Sequence, residues 1–100
     1  MTAYQRTADE MMNDPREKLV IDLRKEREFR LGTCPGSIHI DWEDLESHVA
    51  ELPKDKPIYL MCYTGVTSDE YAELLQNRGY EVYSIEGGYR GYYRWSILHE

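Results

Sequence analysis

Residues 58–75, IYLMCYTGVTSDEYAELL, run from an apolar stretch into a helical pattern, with a single cysteine, Cys62, at the joint. Inside either element a cysteine would be a packing residue. At the joint it faces successive backbone N–H groups, and the helix behind them adds the partial positive charge of its N-terminus. The connecting segment CYTGVT leaves room only for a tight loop, in which Gly65 lets the backbone turn sharply or approach a ligand closely. A thiol placed there is expected to ionise more readily than a free cysteine, with its reference pKa of ~8.5, because the thiolate gains several N–H partners. The chemistry is that of a nucleophilic sulfur at the bottom of an anion-binding cup. Spacing alone leaves a second reading open, in which Cys62 is a buried small hydrophobe.

The elements that must position this loop can be read from the pattern around it. Thr7 and Glu10 have capping-box spacing and open a short helix that ends near Asp14-Pro15. LVIDL (19–23), SIHI (37–40), IYLMC (58–62) and EVYSI (81–85) are short apolar runs of the kind expected of strands. EREFRLG (26–32) supplies one or two helical turns. From Asp41, an N-cap, Trp42, Leu45, Val49 and Leu52 fall at helical spacing as far as Pro53. TSDE (67–70) is a second capping box with Thr67 as the cap, followed by a buried stripe of Tyr71, Leu74 and Leu75, with Gly79 closing the helix. Strands alternating with helices predict an α/β fold, a parallel sheet with helices on both faces, in one domain over residues 1–100. Ligands in such folds bind beyond the C-terminal ends of the strands. Cys62 stands at such an end.

Composition narrows the function classes. The chain has 100 residues, a formal net charge of −7 and no apolar run approaching the length of a membrane span. The acidic balance argues against nucleic acid and against anionic membranes as partners. It also means that any anion site must be local. The N-terminus lacks a basic start and an apolar core, so no signal peptide is expected. Cys34 and Cys62 are accordingly read as reduced thiols of a cytoplasmic protein. His39, His48 and His99 show no ligand spacing, so no metal and no cofactor are expected.

Three ordered motifs then resemble the single-domain rhodaneses, a sulfurtransferase family. LVIDLRKEREFRLGTCPGSIHI resembles the first family signature, Asp-x-Arg after a strand followed by Gly-x-x-Pro-Gly-x-Ile. CYTGVTS resembles the active-site loop, and YSIEGGYRGYYRW the C-terminal Gly-Gly pair with its aromatics. The resemblance implies a rhodanese-like fold, with a central parallel sheet of about five strands and helices on both faces, and ping-pong transfer of sulfane sulfur through a persulfide on Cys62. A donor such as thiosulfate would load the sulfur, and cyanide, a small thiol or a protein thiol would accept it. The backbone N–H groups of Tyr63, Thr64, Gly65, Val66, Thr67 and Ser68 would hold the thiolate and persulfide, with the Thr67 hydroxyl a further donor. Asp22 and Arg24 would form an ion pair supporting the loop.

Departures from the family pattern carry their own expectations. Many rhodaneses place Arg where this chain has Thr67, although two-domain thiosulfate and mercaptopyruvate enzymes end the loop Gly-Val-Thr, as here. The thiosulfate enzymes of that type have basic residues at the positions of Tyr63 and Thr64, and can place Arg at the position of Glu28. Without them a dianionic donor lacks charge-assisted partners. Weak thiosulfate turnover or a different donor follows, unless Arg27 compensates. Related Cys-x5-Arg phosphatases and arsenate reductases need an arginine where Ser68 stands, which disfavours that chemistry. The alternative from another class is a rhodanese-like module that binds a protein partner without turnover. Cys34 is a packing residue, or else a resolving thiol if its sulfur lies near Cys62. Tyr89, Tyr92, Tyr93 and Trp95 are mostly core, with Tyr63 the best candidate for an apolar rim.

Overall fold

The computed structural model describes residues 2–100. Five strands, β1 (Gln5–Arg6), β2 (Leu19–Asp22), β3 (Ile38–His39), β4 (Ile58–Met61) and β5 (Val82–Ile85), form one parallel sheet in the order β1-β5-β4-β2-β3. After β3, at one side of β2, the chain returns to lay β4 on the other side. The C-terminal ends of β2 and β4 therefore flank the point where the strand order reverses, the crevice in which open α/β sheets bind ligands.

Strand alternation sorts the core into two layers. Ile21, Leu23, Ile58, Leu60, Cys62 and Val82 pack on one face with Leu45, Val49, Ala72 and Leu75, brought by α3 (Leu45–His48) and α4 (Val66–Gln76). Val20, Tyr59, Met61 and Ile85 pack on the other with Ala8 and Met11 of α1 (Ala8–Met12) and Tyr92 of α5 (Gly88–Leu98). Each fully buried large apolar side chain stabilises the fold by about 1.5–3 kcal/mol. β4 is buried along its whole length, as expected of a central parallel strand covered on both faces.

Two caps stand where the sequence places them. The Thr7 hydroxyl accepts from Glu10 N–H while Glu10 accepts from Thr7 N–H, and Asp41 accepts from Glu43 N–H. Other local expectations are corrected. β1 lacks an apolar signature; Gln5 and Arg6 become a strand by pairing with Ser84 and Ile85. Residues 41–52 form not one helix but two short 3-10 turns around α3, and Trp42 turns outward, 42% exposed. Of the expected α4 stripe, Leu75 is buried with Ser68 and Ala72 and Tyr71 packs against the same layer, whereas Leu74 is exposed. α4 also starts early: Gly65 is its N-cap and Thr67 lies inside the first turn, without a side-chain capping bond. The loop closes around a sulfur rather than a threonine, and that moves the helix start. No helix among the described residues is long and apolar enough to cross a membrane.

Candidate active site

Cys62 follows β4 directly, and its side chain is largely buried. Its Sγ receives the Gly65 N–H at 3.0 Å and the Ser68 N–H at 3.5 Å, and lies 3.3 Å from the Ser68 hydroxyl. These contacts exist because the backbone reverses at Gly65, with φ +95, and passes into α4 with its first N–H groups aimed back at the strand end. An L-residue is strained at that φ, and a Cβ there would also lie 3.1 Å from the Ile85 carbonyl oxygen and 3.2 Å from the amide nitrogens of Gly87 and Gly88.

The Gly-Gly pair has a matching role. The Tyr89 N–H donates to the Cys62 carbonyl at 2.7 Å, which pulls the start of α5 against the loop. At Gly88, φ is +59 and an added Cβ would sit 2.7 Å from the Tyr63 carbonyl oxygen and closer still to that of Cys62. Two backbones are thus locked together with no side chain between them.

Asp22 and Arg24 brace the site from β2. Arg24 Nε donates to Asp22 Oδ1 at 3.0 Å and Nη2 to Oδ2 at 2.7 Å, while the Arg24 N–H and the Thr33 hydroxyl also donate to the carboxylate. Asp22 is fully buried and Arg24 nearly so. The guanidinium lies 3.8 Å from the centre of the Tyr89 ring, so the pair reaches Cys62 through Tyr89.

A pocket of about 160 Å³ opens over the sulfur, lined by Leu23, Arg24, Lys25, Glu28, Trp42, Cys62, Tyr63, Thr64 and Thr67. Its cations are already committed. Arg24 is paired with Asp22, and Lys25 with Asp41 and Glu43, which hold its ammonium pKa up. Glu28 contributes a carboxylate, and Arg27 is exposed on α2 (Glu26–Leu31) without lining the pocket. Tyr63 stands 53% exposed at the rim and also lines a neighbouring hollow with Tyr89, Arg90, Tyr93, Arg94 and Ile97. Thr64 is exposed and Val66 points outward.

The structure therefore brings Cys62, Gly65 and Ser68 into contact and sets Tyr63, Thr64 and Thr67 around the pocket. The hydroxyl beside Sγ is that of Ser68 rather than Thr67. Trp42 and Lys25 also line the pocket; helical spacing marks Trp42 only as a packing residue, and nothing in the sequence marks Lys25. Ser84, fully buried on β5 and 2.8 Å from the Ser68 hydroxyl, is a further member that no motif signals. Cys34 is buried in the layer on the opposite face of the sheet from Cys62, and burial pushes its thiol pKa up. No group of three His, Cys, Asp or Glu among the described residues could hold a metal ion.

The chain is 32% identical over 92 residues to the thiosulfate sulfurtransferase GlpE of Pseudomonas savastanoi pv. phaseolicola, covering 89% of this chain and 87% of that protein. It is 34% identical over 85 residues to a tRNA sulfurtransferase of Desulfurococcus amylolyticus, covering 85% of this chain but spanning only 17% of that protein. The rhodanese-related protein of Thermoplasma volcanium has the same fold, with a TM-score of 0.83 at 24% identity over 90% of each chain. The family model of the Rhodanese-like domain matches residues 5–94, and the chain belongs to that family.

Proposed function

We propose that the protein is a sulfurtransferase in which Cys62 carries sulfane sulfur as a persulfide. The observation that supports this most directly is the Cys62 sulfur itself, seated at the end of β4 beneath a pocket and receiving two backbone N–H groups. The Cys62 thiolate attacks the outer sulfur of the donor. With thiosulfate, the S–S bond breaks and its electron pair leaves with sulfite, so that Cys62 holds a terminal persulfide anion. An acceptor thiolate or cyanide then attacks the terminal sulfur, and the electron pair of the Cys62 S–S bond returns to Sγ. N–H groups fixed in place before reaction stabilise the sulfur anion in both halves of the cycle.

The pocket favours some substrates over others. Its cations are tied to carboxylates and Glu28 lines its wall, so thiosulfate is a weak donor and less charged sulfane-sulfur compounds are better ones. For the acceptor, the exposed face of α5 favours a protein thiol. Among the described residues no carboxylate lies within ion-pair distance of Arg90 or Arg94, and Tyr63, Tyr93 and Ile97 are exposed beside them. On a chain of net charge −7, this cationic and aromatic patch suits an acidic segment that presents a cysteine.

The test is intact-protein mass spectrometry after incubation with thiosulfate and, separately, with mercaptopyruvate. Wild type gains one sulfur atom and Cys62→Ser gains none. A folded wild-type protein that gains no sulfur from either donor points instead to a binding module without turnover.

A further inference from the structure

The Cys62 sulfur is one end of a buried chain of hydroxyls. Ser68 Oγ lies 3.3 Å from Sγ and 2.8 Å from Ser84 Oγ, and the Ser84 hydroxyl donates to the Gly65 carbonyl oxygen at 3.3 Å. Ser68 and Ser84 are both fully buried, and among the described residues no buried side-chain polar atom lacks a partner. Donor counting fixes the direction of this chain. The Gly65 carbonyl can only accept, so Ser84 spends its single proton there and must receive the proton of Ser68. Ser68 then has no proton left for the sulfur. It can only accept, and the Cys62 S–H donates to it. The arrangement that donor counting gives, Sγ–H to Ser68, Ser68 to Ser84, Ser84 to Gly65, requires a neutral thiol.

A thiolate reverses it. When the thiol proton leaves to water at the pocket mouth, Ser68 rotates to donate to the sulfur anion and Ser84 rotates to donate to Ser68. The Gly65 carbonyl loses its hydroxyl partner and keeps only the Asp69 N–H at 3.3 Å. Three hydrogen bonds of the thiol state become two, one of them to an anion. We propose that Ser84 is a positioning residue that tunes the nucleophile through Ser68: it holds the hydroxyl chain in the thiol direction, and reversal of the chain accompanies ionisation of Cys62. The consequence is a sulfur held as a thiol while idle, whose ionisation before attack requires the chain to reverse.

Without the Ser84 hydroxyl, the thiol form loses two bonds of the chain and the thiolate form only one. Ser84→Ala therefore makes Cys62 more reactive near neutrality, by about threefold to tenfold, the worth of one neutral hydrogen bond. Ser68→Ala acts in the opposite direction, because the sulfur anion then loses its hydroxyl donor. The charged or titratable side chains that line the pocket around Cys62 are Arg24, Lys25, Glu28 and Tyr63, while α4 presents the Ser68 hydroxyl and N–H to the sulfur and β5 presents the Ser84 hydroxyl to Ser68. Those pocket side chains are the same in every variant and cancel in the comparison.

The experiment is the rate of Cys62 alkylation by iodoacetamide from pH 5 to pH 10, read by peptide mapping, for wild type, Ser84→Ala, Ser84→Thr, Ser68→Ala and the Ser68/Ser84 double alanine variant. Ser84→Ala should react about threefold to tenfold faster at pH 7 with the same limiting rate at high pH. Ser84→Thr, which keeps the hydroxyl, should match wild type, and the double variant should match Ser68→Ala. An unchanged or slower Ser84→Ala overturns the proposal, as does a fast Ser84→Thr or a gain that persists without Ser68. Alkylation needs no sulfur donor. A wild type that follows this pattern yet loads no persulfide refutes the sulfurtransferase reading on which the biological role rests, and leaves the hydroxyl chain standing.

Discussion

The buried Asp22–Arg24 pair supports a prediction that can be worked through. Asp22 has no exposure, and its carboxylate takes both Arg24 donors, the Arg24 N–H and the Thr33 hydroxyl. Asp22→Ala leaves the Arg24 guanidinium buried beside Tyr89 with only the Gly32 carbonyl as a polar partner, and strands the Arg24 N–H. Losing one member of a buried pair costs about 3–5 kcal/mol. For a domain of this size each kcal/mol lowers the melting temperature by about 4–8 °C, so a fall of at least about 12 °C is expected. Arg24→Met alone should cost a similar amount, because it leaves an unpaired buried carboxylate. The double variant should cost much less than the sum, because no charge is then left behind. Urea unfolding of the four proteins reads this directly, with an unchanged slope marking a change in stability alone. A loss under about 1 kcal/mol for Asp22→Ala, or additive single effects, would refute a brace built from one coupled charge pair.

Further outcomes follow from the same geometry. Glu28→Lys, which places a cation on the pocket wall, should raise the rate of persulfide loading from thiosulfate by about tenfold, an advantage that shrinks as salt is added; equal rates would remove charge as the reason for weak thiosulfate use. Gly88→Ala forces a Cβ against the Cys62 and Tyr63 carbonyls and should abolish loading while circular dichroism still shows a folded sheet; normal turnover would mean the two backbones need not touch. The double substitution Arg90→Glu and Arg94→Glu should slow sulfur transfer to an acidic cysteine peptide more than to cyanide, and a uniform effect on both acceptors would dismiss the α5 face as a docking surface. Asp14 is held well below the usual carboxylate range by Arg16 and then by the Tyr59 hydroxyl. A depressed folded-state pKa contributes stability above the unfolded value of about 4 and loses it as pH falls further. Asp14→Asn should therefore destabilise the protein at pH 7, with the gap closing towards pH 2, and a gap of constant size would assign the loss to packing.

Much of the fold was legible because local rules and global packing agree. The runs at 19–23 and 58–62 are apolar on both faces, and both faces are covered. Thr7 and Asp41 cap because each side chain reaches a free N–H two or three residues on, and the Asp41 carboxylate does so while also pairing with Lys25. What could not be read is what the sheet itself decides. Gln5 and Arg6 are a strand only because β5 offers a free edge, with Ser84 N–H and Glu86 N–H donating to the carbonyls of Tyr4 and Arg6. Leu74 satisfies helical spacing yet faces outward, because the face that α4 packs inward is rotated to Ser68, Ala72 and Leu75.

That rotation also separates what the loop motif displays from what it conceals. Helical capping statistics favour Thr67 as the polar group of the loop, but with Gly65 as the N-cap it is Ser68 that turns inward to the sulfur. Ser68 in turn meets Ser84, sixteen residues on, because β5 lies beside β4 with Leu60 opposite Ser84, two residues before the cysteine. A serine amid the apolar residues of EVYSI looks like a minor flaw in a strand. In the folded sheet it is the only side chain of β5 bonded into the hydroxyl chain of Cys62 among the described residues, and parallel register rather than any motif puts it there. The candidate cysteine can be found in one dimension, while the serine proposed to set its proton direction is defined only in three.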